Sequence, residues 1–337
     1  MCTPSVLALV ILVGVGLWLL LRPVKPSLEQ DARRLLFAEF HPGQAVDLLL
    51  PRRMQPEWTW ALEGLLMDAL VLSGQVGAAA EAAEALAPEA RQGGLDWLVV
   101  NAAVNTLITA GRYRQALELV DATPAVQRQV AQAARLPTFG LVQLNLAEAE
   151  VNLGRMGEAV ERLGPWDDVM LSYPLLRSGF AVQRAWILAL QGDAGAAMQT
   201  MVLASPAELG ALFAAEYHLV WAFIHLAAGD PGLAERAVSA ALESAKRPAS
   251  HRNAIFLAAR VARARGDVKQ TLALCEQAAN HPHRWQGGDG LLLWGDTLAD
   301  LGRHEEATKA WRLCVERDPQ SVSATQSLER RWRESGR

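Results

Sequence analysis

One phrase recurs along this chain and constrains its fold more than anything else in the sequence. An apolar stretch ends in a glycine, and an alanine follows five residues later. The glycines are Gly74, Gly111, Gly154, Gly192, Gly229, Gly266 and Gly302. The phrase reads Ala-Gly-Arg-Tyr-Arg-Gln-Ala around Gly111 and Ala-Gly-Asp-Pro-Gly-Leu-Ala around Gly229. A degenerate copy sits at Phe40 and leads to Ala45. Successive turns stand 34, 37, 43, 38, 37, 37 and 36 residues apart. Self-similarity at such a period marks one supersecondary unit repeated along the chain.

The phrase has a physical reading. A glycine ends a helix where the backbone must adopt positive φ. The alanine then lies on the next helix, facing the first, where a small side chain lets two antiparallel helices approach closely. The recurring positions are Ala79, Ala116, Ala159, Ala197, Ala234 and Ala307, with Thr271 as the exception. Seven residues before the turn stand Ala147, Ala185, Ala222, Ala259 and Gly295. Small residues therefore face small residues within each hairpin, and the chain is expected to be all-α.

The closest copy, Leu291 to Pro319, carries Leu291, Trp294, Gly295, Leu298, Gly302, Ala307, Trp311 and Pro319 at the spacing of a tetratricopeptide repeat. Cys314 takes a slot where that family usually has alanine. The other copies resemble the family more weakly, and most lack the terminal proline. The resemblance covers about residues 28–320. It implies an α-α superhelical solenoid of about seven to eight hairpins, without enzymatic activity or cofactor, whose concave face binds a peptide or protein segment. In that family concave positions lie about 13, 10, 6, 3 and 2 residues before each turn. The candidate groove is therefore Asn101, Asn105, Glu148, Asn152, Trp186, Asn253, Phe256, Arg260 and Arg263, with Glu216, Phe223, Asp296 and Asp300 in the same register. Side-chain amides suit the backbone of an extended peptide, and Arg260 with Arg263 suits a carboxylate.

The repeat period exceeds that of the family, so some connections are long. Thr123–Pro124 and Leu136–Pro137 bracket the longest, and residues 125–135 are expected to form a lengthened helix or an extra turn. His281 to Gly290, rich in Pro and Gly, is expected to be a loop. Residues 321–337 read as a capping helix with a basic tail.

Composition excludes some classes. Of 337 residues, 51% are apolar, enough for a core, so wholesale disorder is ruled out. A net charge of −4 gives no basic field, so no nucleic-acid partner is expected. Cys2, Cys275 and Cys314 make neither a disulfide framework nor a Cys-x-x-Cys pair.

The N-terminal residues suggest a membrane address. No charged side chain precedes Arg22, and Thr3 to Leu21, including Val6, Leu12, Trp18 and Leu21, are all compatible with a bilayer. As a helix they would reach about 28 Å, close to the hydrocarbon thickness. A cleaved signal peptide fits less well, because no Lys or Arg precedes the apolar run. Residues 1–22 are thus expected to be a single-pass anchor in a bacterial inner membrane, with 23–27 as linker. Arg22, Lys25, Arg33 and Arg34 follow the span, which favours a cytoplasmic body; a periplasmic body is the alternative. The two matching functions are a membrane-anchored scaffold or adaptor that recruits or regulates a partner, and a periplasmic component of envelope assembly or secretion.

Motifs for catalysis or metal binding are weak. His281-Pro-His283 has no third ligand in sequence. His218 and His225 lie seven apart on one expected helix, where half-buried histidines are the simpler reading. His304-Glu305-Glu306 lacks the second histidine of a zinc protease, and no phosphate-cradling loop or Gly-x-Ser-x-Gly occurs. The 11 tryptophans are spread along the chain, which favours interhelical packing over a ligand cage.

Overall fold

The fold is described from a computed structural model. It covers residues 27–88, 97–121, 137–166, 173–210, 213–246, 248–281 and 288–317, with a few positions between 319 and 329. The described secondary structure is entirely helical.

A short helix α1 (Leu28–Arg33) runs into a π-helical turn and is followed by α2 (Pro42–Leu49). Next come α3 (Trp60–Leu72) and α4 (Val76–Ala85), α5 (Trp97–Thr109) and α6 (Tyr113–Asp121), and α7 (Pro137–Asn152) and α8 (Met156–Leu163). α9 (Pro174–Leu190) and α10 (Ala194–Met201) are followed by the single turn α11 (Pro206–Leu209). The last three pairs are α12 (Ala214–Ala227) with α13 (Pro231–Ser244), α14 (Pro248–Ala264) with α15 (Val268–Ala279), and α16 (Gly288–Asp300) with α17 (His304–Arg317). The described helices group into two compact units. One takes residues up to Ala149 together with Arg162–Leu176; the other takes Glu150–Glu161 and the residues from Arg177 onward.

All seven expected turn glycines have φ between 72° and 88°. Each closes its helix with the same two hydrogen bonds. At Gly229, its N–H donates to the Leu226 carbonyl at 3.1 Å and the Asp230 N–H donates to the His225 carbonyl at 2.8 Å. This double bond pattern satisfies carbonyls that the helix end would leave orphaned. Where aspartate follows the glycine, one residue serves two helices. Asp193, Asp230 and Asp267 cap α10, α13 and α15 by accepting from backbone N–H groups at 2.8–2.9 Å. Phe40, at the degenerate copy, is the one described non-glycine residue with positive φ, at 52°. The backbone turn persists there without the residue that makes it easy. Ser27 and Gln30 form the expected capping box at the start of α1.

Burial separates the two helices of a hairpin. In the N-terminal unit the first helices α3 and α5 are covered nearly all round: every residue from Leu62 to Val71 and from Val99 to Thr109 is buried. Second helices bury one stripe, such as Ala234, Val238 and Ala241 in α13. The expected small positions five residues after the turn are fully buried, Thr271 included, as are Ala147, Ala185, Ala222 and Ala259. At Gly295 a Cβ would overlap the Trp311 indole, so only glycine fits as α16 and α17 are packed. The first two full hairpins depart from the rule: the seven-before position holds Met67 and Val104, both buried, so close approach there rests on the alanine side alone.

Several expectations are corrected or fall elsewhere. The expectation of a single-pass inner-membrane protein is overturned as far as the described chain goes. Among the described residues no helix is long and apolar enough to cross a membrane. The longest, α9 and α14, have 17 residues and carry arginines within them. The expected anchor residues Val6, Leu12, Trp18, Leu21, Arg22 and Lys25 lie outside the described residues, as do residues 125–135 and most of the tail. The loop expected to run to Gly290 ends sooner, because α16 begins at Gly288.

Candidate functional site

The candidate residues sit on first helices, at fixed distances before the turn glycines. In the N-terminal unit they are buried. Asn101 and Asn105 lie on α5 and Glu148 on α7, all under 5% exposed. Asn145 Nδ2 donates to Asn101 Oδ1 at 2.8 Å, which joins α7 to α5 by a buried amide pair. The other oxygen of that pair, Asn145 Oδ1, is buried without a hydrogen-bond partner. Asn152, in the C-terminal unit at the end of α7, is half-buried.

In the C-terminal unit the row becomes aromatic, then charged. Trp186 on α9 is fully buried, and its Nε1 finds no acceptor. Phe223 on α12 is buried, and the Arg260 guanidinium of α14 lies 4.9 Å from its ring centroid. That contact is a cation–π arrangement. Arg263, one turn further on, donates to Asp300 Oδ2 of α16 at 2.7 Å. Both partners are open to solvent, at 37% and 64% exposed. Asp296 accepts from Trp311 Nε1 at 3.1 Å. Asn253 and Phe256, on the first half of α14, are buried, and Arg252 donates to Asn253 Oδ1 at 3.3 Å. Glu216 is buried and accepts from Ser250 Oγ at 2.7 Å.

Comparison with known structures sets this geometry in a fold. The fold is a tetratricopeptide-like helical repeat. The chain is similar to a chain of the APC/C hetero-tetramer Cut9-Hcn1, with a TM-score of 0.54 at 13% identity. The match covers 87% of this chain and 53% of that one, so this chain spans about half of its structural neighbour's length. No protein-family model matches. No curated protein matches either.

Within this fold the structure joins candidates that the sequence left separate. Arg263 and Asp300 are an ion pair between consecutive first helices, and Arg260 and Phe223 are a stacked pair between the preceding two. Asn101 and Asn105 are not directed at open solvent, and Trp186 is core rather than surface. Asp68 was missed. It lies six residues before Gly74, the same register as Asn105, Glu148, Trp186, Phe223, Arg260 and Asp296, and counting back from the first glycine finds it. On α12, Tyr217 meets Trp221 edge-on and Trp221 stacks on His225, with ring centroids 6.3 and 5.4 Å apart. Partial burial lowers the pKa of both His218 and His225. Among the described residues no group of three or more His, Cys, Asp or Glu is placed to hold a metal. His251 and His281 rings lie 5.7 Å apart, while His283 falls outside the described residues.

Proposed function

We propose that the protein is a binding scaffold without catalytic activity, and that the first-helix row of the C-terminal unit receives an extended segment of a partner protein. The observation that carries this reading is a register. Hairpin packing is accounted for by the turn glycine and the small residues around it. Yet six residues before the turn, polar, charged or aromatic side chains recur through all seven full hairpins, from Asp68 to Asp296. Trp186 and Phe223 serve packing at that register, but Arg260 and Asp296 stand half-buried where hairpin packing asks for no charge. In the C-terminal unit the row offers chemistry that a peptide can use. Arg260 and Arg263 present guanidinium groups suited to a carboxylate, and Asp296 and Asp300 suit a cationic side chain. Asn152, half-buried at the end of α7, suits a peptide backbone. Trp186 and Phe256 would act through the apolar floor beneath them.

Site-specific photo-crosslinking tests this in the full-length protein. A crosslinker at Arg260, Arg263 or Asn152 should yield a discrete adduct with a partner chain, and one at the exposed second-helix positions Glu161 and Glu276 should not. Adducts at Glu161 and Glu276 with none at the row would move the binding surface to the second helices and overturn the reading.

A further inference from the structure

Two histidines far apart in sequence meet at the open end of the α14–α15 hairpin. His251 lies in the first turn of α14, and His281 stands just past the end of α15. Their ring centroids are 5.7 Å apart and the rings are tilted by 42°. That is neither the stacked nor the edge-on arrangement that aromatic rings prefer. Burial does not bring them together either, because His251 is exposed and His281 is half-buried.

Both side chains spring from backbone that is held in place. Ser250 and Arg252, on either side of His251, are buried, and Ser250 Oγ fastens the start of α14 to Glu216 of α12 at 2.7 Å. The His281 N–H donates to the Ala278 carbonyl at 3.4 Å, which carries the chain of α15 on by a turn. Ala278 and Ala279, just before it, are buried. The two imidazoles are therefore positioned by the hairpin itself.

Imidazole is the commonest protein ligand for metals, and it suits divalent transition ions. With metal–nitrogen bonds of about 2.0–2.1 Å and nitrogen–metal–nitrogen angles of about 90–130°, two imidazoles on one ion have ring centroids about 4.5–5.8 Å apart. The separation of His251 and His281 falls within that range. Among the described residues no third His, Cys, Asp or Glu completes a ligand set. The protein thus supplies two nitrogen ligands, and water takes the other positions. Such a set does not suit Mg²⁺ or Ca²⁺, which take oxygen ligands.

We propose that His251 and His281 form a two-histidine site for a divalent transition metal, which clamps the start of α14 to the end of α15. An ion that needs both rings binds the folded hairpin and not the unfolded chain, so it stabilises the hairpin by mass action. The site does not depend on the first-helix row binding a partner.

Calorimetric titration of the untagged full-length chain with Zn²⁺, with the histidine Hε1–Cε1 NMR signals followed in parallel, tests this. The His251 and His281 signals should move together and saturate with one ion. His251→Ala and His281→Ala should each weaken that binding by at least about ten-fold, since even the loss of an outer-shell partner of a metal site costs that much. His251 is exposed, so its variant should keep the wild-type circular dichroism. Signals that stay still under Zn²⁺, or that respond equally to Mg²⁺, would overturn the site. So would binding that survives His251→Ala but is lost in His283→Ala, which would place the ion on the His281-Pro-His283 segment instead.

Discussion

The same register has different physical character in the two units. In the N-terminal unit, Asp68, Asn105 and Glu148 are buried, and a neighbouring amide pair, Asn101 with Asn145, ties two first helices together. In the C-terminal unit, Arg260 and Asp296 are half-buried, and the nearby Arg263–Asp300 pair stands in solvent. A buried amide is costly to remove, because its partner is left unsatisfied in a poor dielectric. A solvent-exposed ion pair is worth about 0–1 kcal/mol and is easily exchanged. One set of positions thus contributes to structure in the first unit, whereas in the second Trp186 and Phe223 are buried and Arg260 and Asp296 are half-buried.

The packing positions give the scale against which to measure that contrast. Gly295→Leu should have the largest effect, about 3 kcal/mol or more, because the new side chain must occupy the space of the Trp311 indole. Urea unfolding measures it, and a loss under 1 kcal/mol would mean that the hairpin is loosely packed. Asn101→Ala should cost about 2 kcal/mol, because it orphans Asn145 Nδ2 in the core. A near-neutral Asn101→Ala would erase the difference between the units. Asp230→Ala should cost about 1 kcal/mol through loss of the α13 cap. The matching change at Arg155, which has no such capping bond among the described residues, should cost less, and equal losses would show that the cap adds nothing to the glycine turn.

Much of this was legible in the sequence, for a local reason. Positive φ at Gly74 through Gly302 and burial at Ala79 through Ala307 are set by backbone geometry within one hairpin, so fixed spacings reveal them. Gly210, also at positive φ, closes the short α11 out of phase with the repeat and escapes that arithmetic. Burial of Asn101 and Trp186 depends on what covers them from other hairpins, which spacing within one copy does not encode. Arg33 read as a flanking charge, yet it is buried and paired with Glu29 on its own helix. The sequence argument for a membrane span rests on residues 1–22, and the described helices add nothing to it.

The central claim is that turn and small-residue positions hold the hairpins, while the charged positions of the C-terminal unit's first helices contribute little to stability. Equilibrium unfolding of two variants compares them directly. Ala234→Leu overpacks a fully buried position and should lose about 1–3 kcal/mol. Arg260→Ala combined with Arg263→Ala removes a stacked contact and an exposed ion pair and should lose less than about 1 kcal/mol. A double variant that unfolds as readily as Ala234→Leu would mean that the row is part of the structural core, and would contradict the account.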